Sequence, residues 1–271
     1  MSNDRMQALL GHISPAVLKG NIHHSVCRWC YNSLSLEELC QVVKHLGFSA
    51  VDLVGPEHWP LLKQYGIDSS MCNGAEISLE KGWNNPQYHA KLIENYSAMI
   101  PLVAKAGYKN LICFSGNRDG MGEEEGLVNA AKGLQQVAAL AERYGVTLVM
   151  ELLNSKVDHI DYQCDNTQWG VELINSIGSE NCKLLYDIYH MQVDEGNICA
   201  NIQRYHSYIA HYHTAGVPGR HEIDASQELN YPAIMQVIRN TGFTGYVAQE
   251  FIPAQPDAIA SLKQAIDICD V

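Results

Sequence analysis

Short apolar runs alternate with longer amphipathic segments along the chain. In the amphipathic segments apolar residues recur with helical spacing and a glycine follows, as in residues 42–47, 61–66, 102–107, 140–145, 173–178 and 237–242. A glycine after the last helical turn readily takes the left-handed conformation that ends a helix. The apolar runs that come next are typical of parallel strands covered by helices. The pattern therefore predicts repeated helix–strand units.

The number of these units predicts an α/β fold of the (β/α)8 TIM-barrel type. A strand near residues 19–23 and another ending at His213 complete the set. A length of 271 residues suits one such barrel, and no Ser/Pro-rich linker occurs, so residues 1–271 are expected to form a single domain. A doubly wound open sheet is the alternative, but the sequence has neither GxGxxG nor GxxxxGK[ST], which that fold usually carries.

Two connections after predicted strands are unusually long. They cover residues 154–168 and 214–230. In barrel enzymes the loops that follow the strands build the active site. These two segments are therefore where binding residues are expected.

The charge of the chain excludes several classes of partner. The formal net charge is −12, with no Lys/Arg cluster, whereas a nucleic-acid binder needs a basic face to displace counterions from phosphates. An acidic membrane surface is disfavoured for the same reason, and no apolar run reaches the roughly 20 residues that span a bilayer. A small-molecule substrate is expected instead, and a homo-oligomer is left open.

The cysteines favour a reducing compartment. There are nine, an odd number scattered along the chain, which is typical of buried free thiols. Cys27 and Cys30 have redox or zinc spacing, but no second CxxC follows. Residues 1–14 show no long apolar stretch after a basic start, so no secretory signal is expected. The prediction is a cytoplasmic protein.

Four polar residues stand where an apolar run stops: Glu151, Asp187, His213 and Glu250. Burying an unpaired carboxylate is very costly, and one divalent cation among these side chains would offset that cost. In a barrel, side chains at the strand ends point into the mouth. Oxygen and imidazole ligands suit Mg²⁺, Mn²⁺, Co²⁺ or Fe²⁺. The alternative is four polar residues solvated at the rim.

Candidate substrate-binding residues flank these strand ends. His190 lies three residues after Asp187 and faces the same pocket if a helix starts there. Arg220 lies in a predicted turn and could grip a carboxylate through two parallel hydrogen bonds. Asn154 and Lys156 follow the strand that ends at Glu151, where they could touch substrate oxygens or serve only the loop.

One further histidine has the same strand parity as His213 but lies deeper. This residue, His211, is interpreted as orienting a ligand rather than binding the metal itself. Serine-nucleophile chemistry has little support, because the sequence contains no GxSxG elbow.

Three motifs in the second half resemble the hydroxypyruvate isomerase family, within the xylose isomerase-like TIM barrels. They are Glu-Leu-Leu-Asn-Ser-Lys at 151–156, Tyr-Asp-Ile-Tyr-His-Met-Gln at 186–192 and Pro-Gly-Arg-His-Glu at 218–222. Two positions depart from the family pattern. His213 stands where these isomerases usually have glutamine and is similar to the ketose 3-epimerase branch, and Leu152 stands where proline is common.

The resemblance implies an aldose–ketose isomerase that interconverts a 2-keto and a 2-hydroxyaldehyde compound through an enediolate. For hydroxypyruvate the product is tartronate semialdehyde. Glu151 and Glu250 are implied as the acid/base pair, and these two with Asp187 and His213 as the ligands of a divalent metal, Mg²⁺ or Mn²⁺ first, with Co²⁺, Fe²⁺ or Zn²⁺ as alternatives.

Other functions stay open at this point. A ketose 3-epimerase or an inosose isomerase or dehydratase could use the same barrel. A phosphodiesterase of the endonuclease IV type would need several zinc ions and a basic DNA-binding face, which the net charge of −12 disfavours. A non-catalytic metabolite-binding barrel predicts ligand binding without turnover.

Overall fold

Parallel strands alternate with helices through the computed structural model, which describes residues 3–271 and their side chains from residue 5 onward. Residues 1 and 2, which begin the stretch predicted to lack a secretory signal, lie outside the described residues. Eight strands within 3–271 pair in sequence order, and the order closes where the eighth pairs with the first. The predicted (β/α)8 barrel is therefore confirmed. The strands are β1 His23–Cys27, β2 Ala50–Val54, β3 Asp68–Cys72, β4 Asn110–Cys113, β5 Thr147–Glu151, β6 Cys182–Asp187, β7 Ile209–Thr214 and β8 Tyr246–Gln249.

The α-helices lie between the strands, with one ahead of β1 and one after β8. Short 3-10 turns also occur, of which the first, Arg28–Tyr31, directly follows β1. The α-helices in the described chain are α1 Asn3–Leu10, α2 Leu36–Leu46, α3 Trp59–Tyr65, α4 His89–Ala106, α5 Glu123–Tyr144, α6 Thr167–Ile177, α7 Ile188–Asp194, α8 Ile198–Tyr205, α9 Tyr231–Asn240 and α10 Ala258–Cys269.

Local sequence sets the ends of the helices. At the start of α2 the Ser35 side chain accepts from the Glu38 backbone N–H, and the Glu38 carboxylate accepts from the Ser35 N–H. This reciprocal cap satisfies two backbone donors that the helix itself leaves unpaired. The same helix ends at Gly47, whose φ of 96° lies in the left-handed region. The predicted helix–glycine–strand pattern is confirmed there.

The described chain divides into two compact units. The first unit comprises the residues up to Ser70 together with His213–Val271, and the second comprises Met71–Tyr212. In the first unit β1 pairs in parallel with β2 and with β8, so that His23 lies opposite Tyr246. Helices α2 and α3 pack together there, as do α9 and α10.

The second unit contains a parallel array of β4, β5 and β6. Glu151 at the end of β5 lies opposite Leu185 of β6, two residues before β6 ends at Asp187. Helices α4, α5 and α6 pack in sequence order within this unit. The register therefore places the carboxyl ends of β5 and β6 at the same edge of the array.

The prediction of a first strand at residues 19–23 is wrong, because β1 runs from His23 to Cys27. Lys19 and Asn21 instead bind the C-terminal segment: the Lys19 N–H donates to Asp270 and the Asn21 side chain donates to the Val271 carbonyl. The segment His23–Cys27 has no apolar run, but four of its five residues are buried. Tertiary burial rather than local hydrophobicity thus determines this strand.

The described chain contains no helix that is both long enough and apolar enough to cross a membrane. All nine cysteines are free, and seven of them are buried. The prediction of mainly buried cysteines is therefore confirmed.

Burial of His24 makes the free energy of unfolding depend on pH. Its Nε2 lies 3.5 Å from Asp270 Oδ1, and burial lowers the pKa of His24 although Asp270 opposes that shift. Below the unfolded histidine pKa of about 6.5 the unfolded chain takes up a proton that folded His24 resists. His24 therefore favours folding above that pH, and its contribution is lost as the pH falls toward the lowered pKa.

Urea unfolding at pH 7.5 and pH 5.5 measures this effect. The wild-type chain is expected to lose more unfolding free energy on acidification than a His24→Gln variant does, at similar denaturant dependence. Comparing the two chains removes the contribution of the other titrating groups. Equal losses in both would show that His24 takes up its proton as readily in the folded chain as in the unfolded one.

Candidate active site

The four polar residues predicted at strand ends do lie there. Glu151 and Asp187 are the last residues of β5 and β6, His213 is the penultimate residue of β7, and Glu250 directly follows β8. All four are buried, with at most 4% of each residue exposed. Buried ionisable groups at the carboxyl ends of barrel strands are typical of catalytic positions.

In the first unit, Glu250 is the centre of a hydrogen-bonded cluster. Its Oε1 accepts from Trp29 Nε1 at 2.8 Å, and its Oε2 accepts from Arg220 Nη2 at 2.6 Å. The same Oε2 lies 2.9 Å from His213 Nδ1. The Arg220 guanidinium also stacks on the Trp29 ring, 5.2 Å from its centroid. The carboxylate is thus held on both oxygens by donors.

These contacts fix the charge of Glu250. Burial alone would raise the pKa of Glu250, but the charges of His213 and Arg220 and the bonds from His213 and Trp29 hold the pKa well below its usual value. The pKa of His213 is raised well above its usual value, because Cys27, Glu250 and Asp52 outweigh the effect of burial. Glu250 is therefore ionised at neutral pH.

Three residues of this cluster were not predicted from the sequence. Cys27 Sγ lies 3.7 Å and Asp52 Oδ2 lies 3.1 Å from His213 Nε2, and Trp29 binds Glu250. For Asp52 a signal existed, since a carboxylate interrupts the apolar run of β2. Trp29 lies in a short 3-10 turn with no periodic pattern, so nothing local marked it.

In the second unit, a carboxylate oxygen of Glu151 lies within 4.8 Å of one of Asp187. Two buried carboxylates so close repel each other, and a cation near both would offset that repulsion. The oxygen donors of this pair suit a hard or borderline divalent ion. In the first unit, an imidazole nitrogen of His213 and an oxygen of Glu250 lie within the same distance, with Cys27 Sγ. Both groups therefore fit metal ligation.

His190 lies on α7, which begins directly after Asp187. The Asp187 side chain caps this helix by accepting from the His190 backbone N–H at 3.1 Å. The Asn154 Oδ1 accepts from two backbone N–H groups, which fixes its amide so that Nδ2 donates to His190 Nδ1 at 2.7 Å. His190 therefore carries its proton on Nε2, 3.6 Å from Asp187 Oδ2.

Lys156 and Arg220 lie in the two long loops. The Lys156 Nζ donates to the backbone carbonyls of Val193 and Asp194, at the C-terminal end of α7. Arg220 has a φ of 60°, and its backbone carbonyl accepts from the Ile252 N–H, which holds the loop near the end of β8. The predicted substrate contacts of Lys156, Arg220, Asn154 and His190 stay predictions, as does the orienting role of His211, a buried residue of β7.

A closed eight-stranded barrel with buried carboxylates and imidazoles at its strand ends defines a TIM barrel whose strand-end side chains could hold a metal. The family model of the xylose isomerase-like TIM barrel matches residues 40–270. The chain therefore belongs to this family.

Its curated relatives have the names of isomerases. The chain is 34% identical to the 2-oxo-tetronate isomerase of Cupriavidus necator over 122 residues, 45% of this chain and 46% of that protein. It is 28% identical to the hydroxypyruvate isomerase of Escherichia coli over 164 residues, 59% of this chain and 62% of that protein. The aligned segments thus span about half the length of the curated relatives.

Solved structures share the fold over nearly the whole chain. D-psicose 3-epimerase with D-tagatose from Clostridium cellulolyticum H10 has a TM-score of 0.76 and 17% identity, covering 92% of this chain and 100% of that one. IOLI protein with a zinc atom has a TM-score of 0.72 and 14% identity, covering 92% of this chain and 98% of that one. At these identities the likeness concerns the fold alone.

Proposed function

We propose that the protein is a divalent-metal-dependent isomerase acting on hydroxypyruvate, with tartronate semialdehyde as the product. The observation that carries this proposal is the placement of Glu151, Asp187, His213 and Glu250 at the ends of four consecutive strands in the closed strand order. The names of the relatives, hydroxypyruvate isomerase and 2-oxo-tetronate isomerase, support the reaction class.

In this proposal the same four residues hold one divalent cation. The pair Glu151 and Asp187 supplies carboxylate oxygens, and the pair His213 and Glu250 supplies an imidazole nitrogen and a further oxygen. Mg²⁺ or Mn²⁺ matches the excess of oxygen donors, while Zn²⁺, Co²⁺ or Fe²⁺ also tolerates imidazole. When bound, the cation polarises the substrate carbonyl as a Lewis acid.

The protein groups perform the proton transfers. One glutamate, Glu151 or Glu250, removes a proton from the hydroxymethyl carbon of hydroxypyruvate, leaving an enediolate. The other glutamate, or the same one, returns a proton to the former carbonyl carbon, while the hydroxyl proton moves to the neighbouring oxygen. Glu250 is in the ionised form that a base must have, because its lowered pKa keeps it deprotonated at neutral pH.

The remaining predicted residues orient the substrate. His190 presents Nε2–H as a donor, because Asn154 occupies its Nδ1. Arg220, held against the Trp29 ring, provides the cation that recognises the substrate carboxylate. Lys156 contacts the end of α7, through which it supports the helix that carries His190. A cytoplasmic location is proposed on the basis of the nine free cysteines.

Proton NMR in D₂O tests the proposed reaction. The Mg²⁺-loaded protein is mixed separately with hydroxypyruvate, fructose, tagatose and an inosose. We expect deuterium exchange at the hydroxymethyl carbon of hydroxypyruvate and formation of tartronate semialdehyde, with no change in the uncarboxylated compounds. A parallel sample with Zn²⁺ covers the second metal class.

Two other results would replace the proposal. Turnover of a ketose or inosose but not of hydroxypyruvate would favour an epimerase or dehydratase. The histidine at position 213 is similar to that of the ketose 3-epimerase branch. Binding of these compounds without exchange, with the metal bound, would leave a non-catalytic metabolite-binding barrel.

A further inference from the structure

Asp52 is a buried carboxylate inside β2 that the proposed reaction does not use. It is completely buried, and its Oδ2 lies 3.1 Å from His213 Nε2. Its Oδ1 accepts from the hydroxyls of Ser25 and Ser70, whose oxygens lie 2.5 Å apart. Burying a carboxylate is costly unless its oxygens are hydrogen-bonded, and here specific groups engage both oxygens of Asp52.

The two ring nitrogens of His213 face different groups. Nε2 faces Asp52, while Nδ1 lies 2.9 Å from Glu250 Oε2. A histidine that binds a metal through Nδ1 carries one proton, on Nε2, and a carboxylate accepts that proton more strongly than a thiol does. Cys27 Sγ, at 3.7 Å, is therefore a weaker acceptor for Nε2–H than Asp52 is. Nδ1, which faces Glu250, is then the ring nitrogen left for a metal.

We propose that Asp52 is a positioning residue for His213: it accepts Nε2–H and thereby presents the Nδ1 lone pair for metal binding. The inference rests on the metal site of the proposed function. Hydrogen bonds of this kind fix the tautomer and the ring orientation of a ligating histidine. Ser25 and Ser70 donate to the other oxygen of Asp52 and so hold the orientation of its carboxylate.

The two serines make the Asp52→Asn variant unusually informative. Because both hydroxyls donate to Oδ1, the amide oxygen of asparagine is favoured at that place, and its NH₂ group then faces His213 Nε2. A donor facing Nε2 requires an unprotonated nitrogen there, which moves the ring proton to Nδ1. The variant thus keeps the size of the side chain but blocks the nitrogen that would bind the metal.

Two measurements test the inference. Chelator competition gives the affinity for Zn²⁺, and the Asp52→Asn variant is expected to bind about 10- to 100-fold more weakly than the wild type. Long-range proton–nitrogen NMR of ¹⁵N-histidine-labelled protein shows which ring nitrogen carries the proton. The Zn²⁺-loaded wild type is expected to show a protonated Nε2 at His213, and the variant is expected to lose that signal.

Asp270→Asn is the matched control, since Asp270 also accepts from a buried histidine, His24, but outside the proposed site. It is expected to leave Zn²⁺ affinity unchanged. Equal affinity in wild type and Asp52→Asn, or an unprotonated Nε2 in the Zn²⁺-loaded wild type, would overturn the inference. The wild-type spectrum decides this even if the Asp52→Asn chain fails to fold.

Metal binding by the wild-type chain tests the proposed metal site separately from the hydrogen bond between Asp52 and His213. A wild-type chain that binds neither Zn²⁺ nor Mn²⁺ would remove that site and with it the role of Asp52 in presenting a ligand. The metal-free spectrum would still show whether Nε2–H is donated to Asp52, so that the hydrogen bond and the metal site are tested apart.

Discussion

Replacing Glu151 with glutamine is expected to lower kcat/KM for hydroxypyruvate by about 10²- to 10⁴-fold, the usual effect of removing a general acid or base. Glutamine keeps the shape of the side chain and one oxygen but cannot take up the proton. Its backbone carbonyl still accepts from the Tyr162 hydroxyl, so the local structure should persist. Initial rates and deuterium exchange in D₂O measure the loss.

Glu151→Gln is a cleaner test than the same change at Glu250. There, one oxygen accepts from Trp29 and the other from Arg220, so a glutamine NH₂ group would face a donor in either orientation. Glu172→Gln is the control, since Glu172 lies exposed on α6. Wild-type rates in Glu151→Gln, with metal content confirmed, would remove Glu151 from the mechanism.

Withdrawal of the metal is expected to abolish turnover and to lower the thermal midpoint. A ligand present at 100 times its Kd stabilises the folded state by about 2.7 kcal/mol. In a chain of this size that corresponds to a midpoint shift on the order of 5 to 10 °C. Thermal unfolding in EDTA and in excess Mn²⁺ measures the shift, and re-addition of Mn²⁺ should restore turnover.

The Asp187→Asn variant tests whether Asp187 is one of the ligands through which the metal stabilises the fold. Asparagine retains the helix cap on α7 but removes one of two buried carboxylates that lie within 4.8 Å of each other. In EDTA the variant should therefore unfold at or above the wild-type midpoint, because a repulsion is relieved. In Mn²⁺ the order should reverse. A variant that gains as much from Mn²⁺ as the wild type would exclude Asp187 as a ligand.

The strand ends could be predicted from the sequence because an apolar run stops there and a polar residue follows. A parallel strand covered by helices is a continuous apolar run, and its last residue is where polarity returns. Glu151 and Asp187 follow this rule closely, and the glycine after each preceding helix marks where that helix ends. The β1 segment does not follow it, since His23–Cys27 is polar in sequence yet largely buried.

Local sequence predicted the alternation of helices and strands, from whose count the barrel was inferred, and the strand ends at which the four candidate ligands lie. These features depend on local spacing and on caps, which neighbouring residues encode. The sequence did not predict that Trp29 and Arg220 hold Glu250 or that Asp52 faces His213. These contacts join residues 30 to 221 positions apart along the chain, and folding brings them together. Such contacts depend on how distant strands pair, and no local pattern records that pairing.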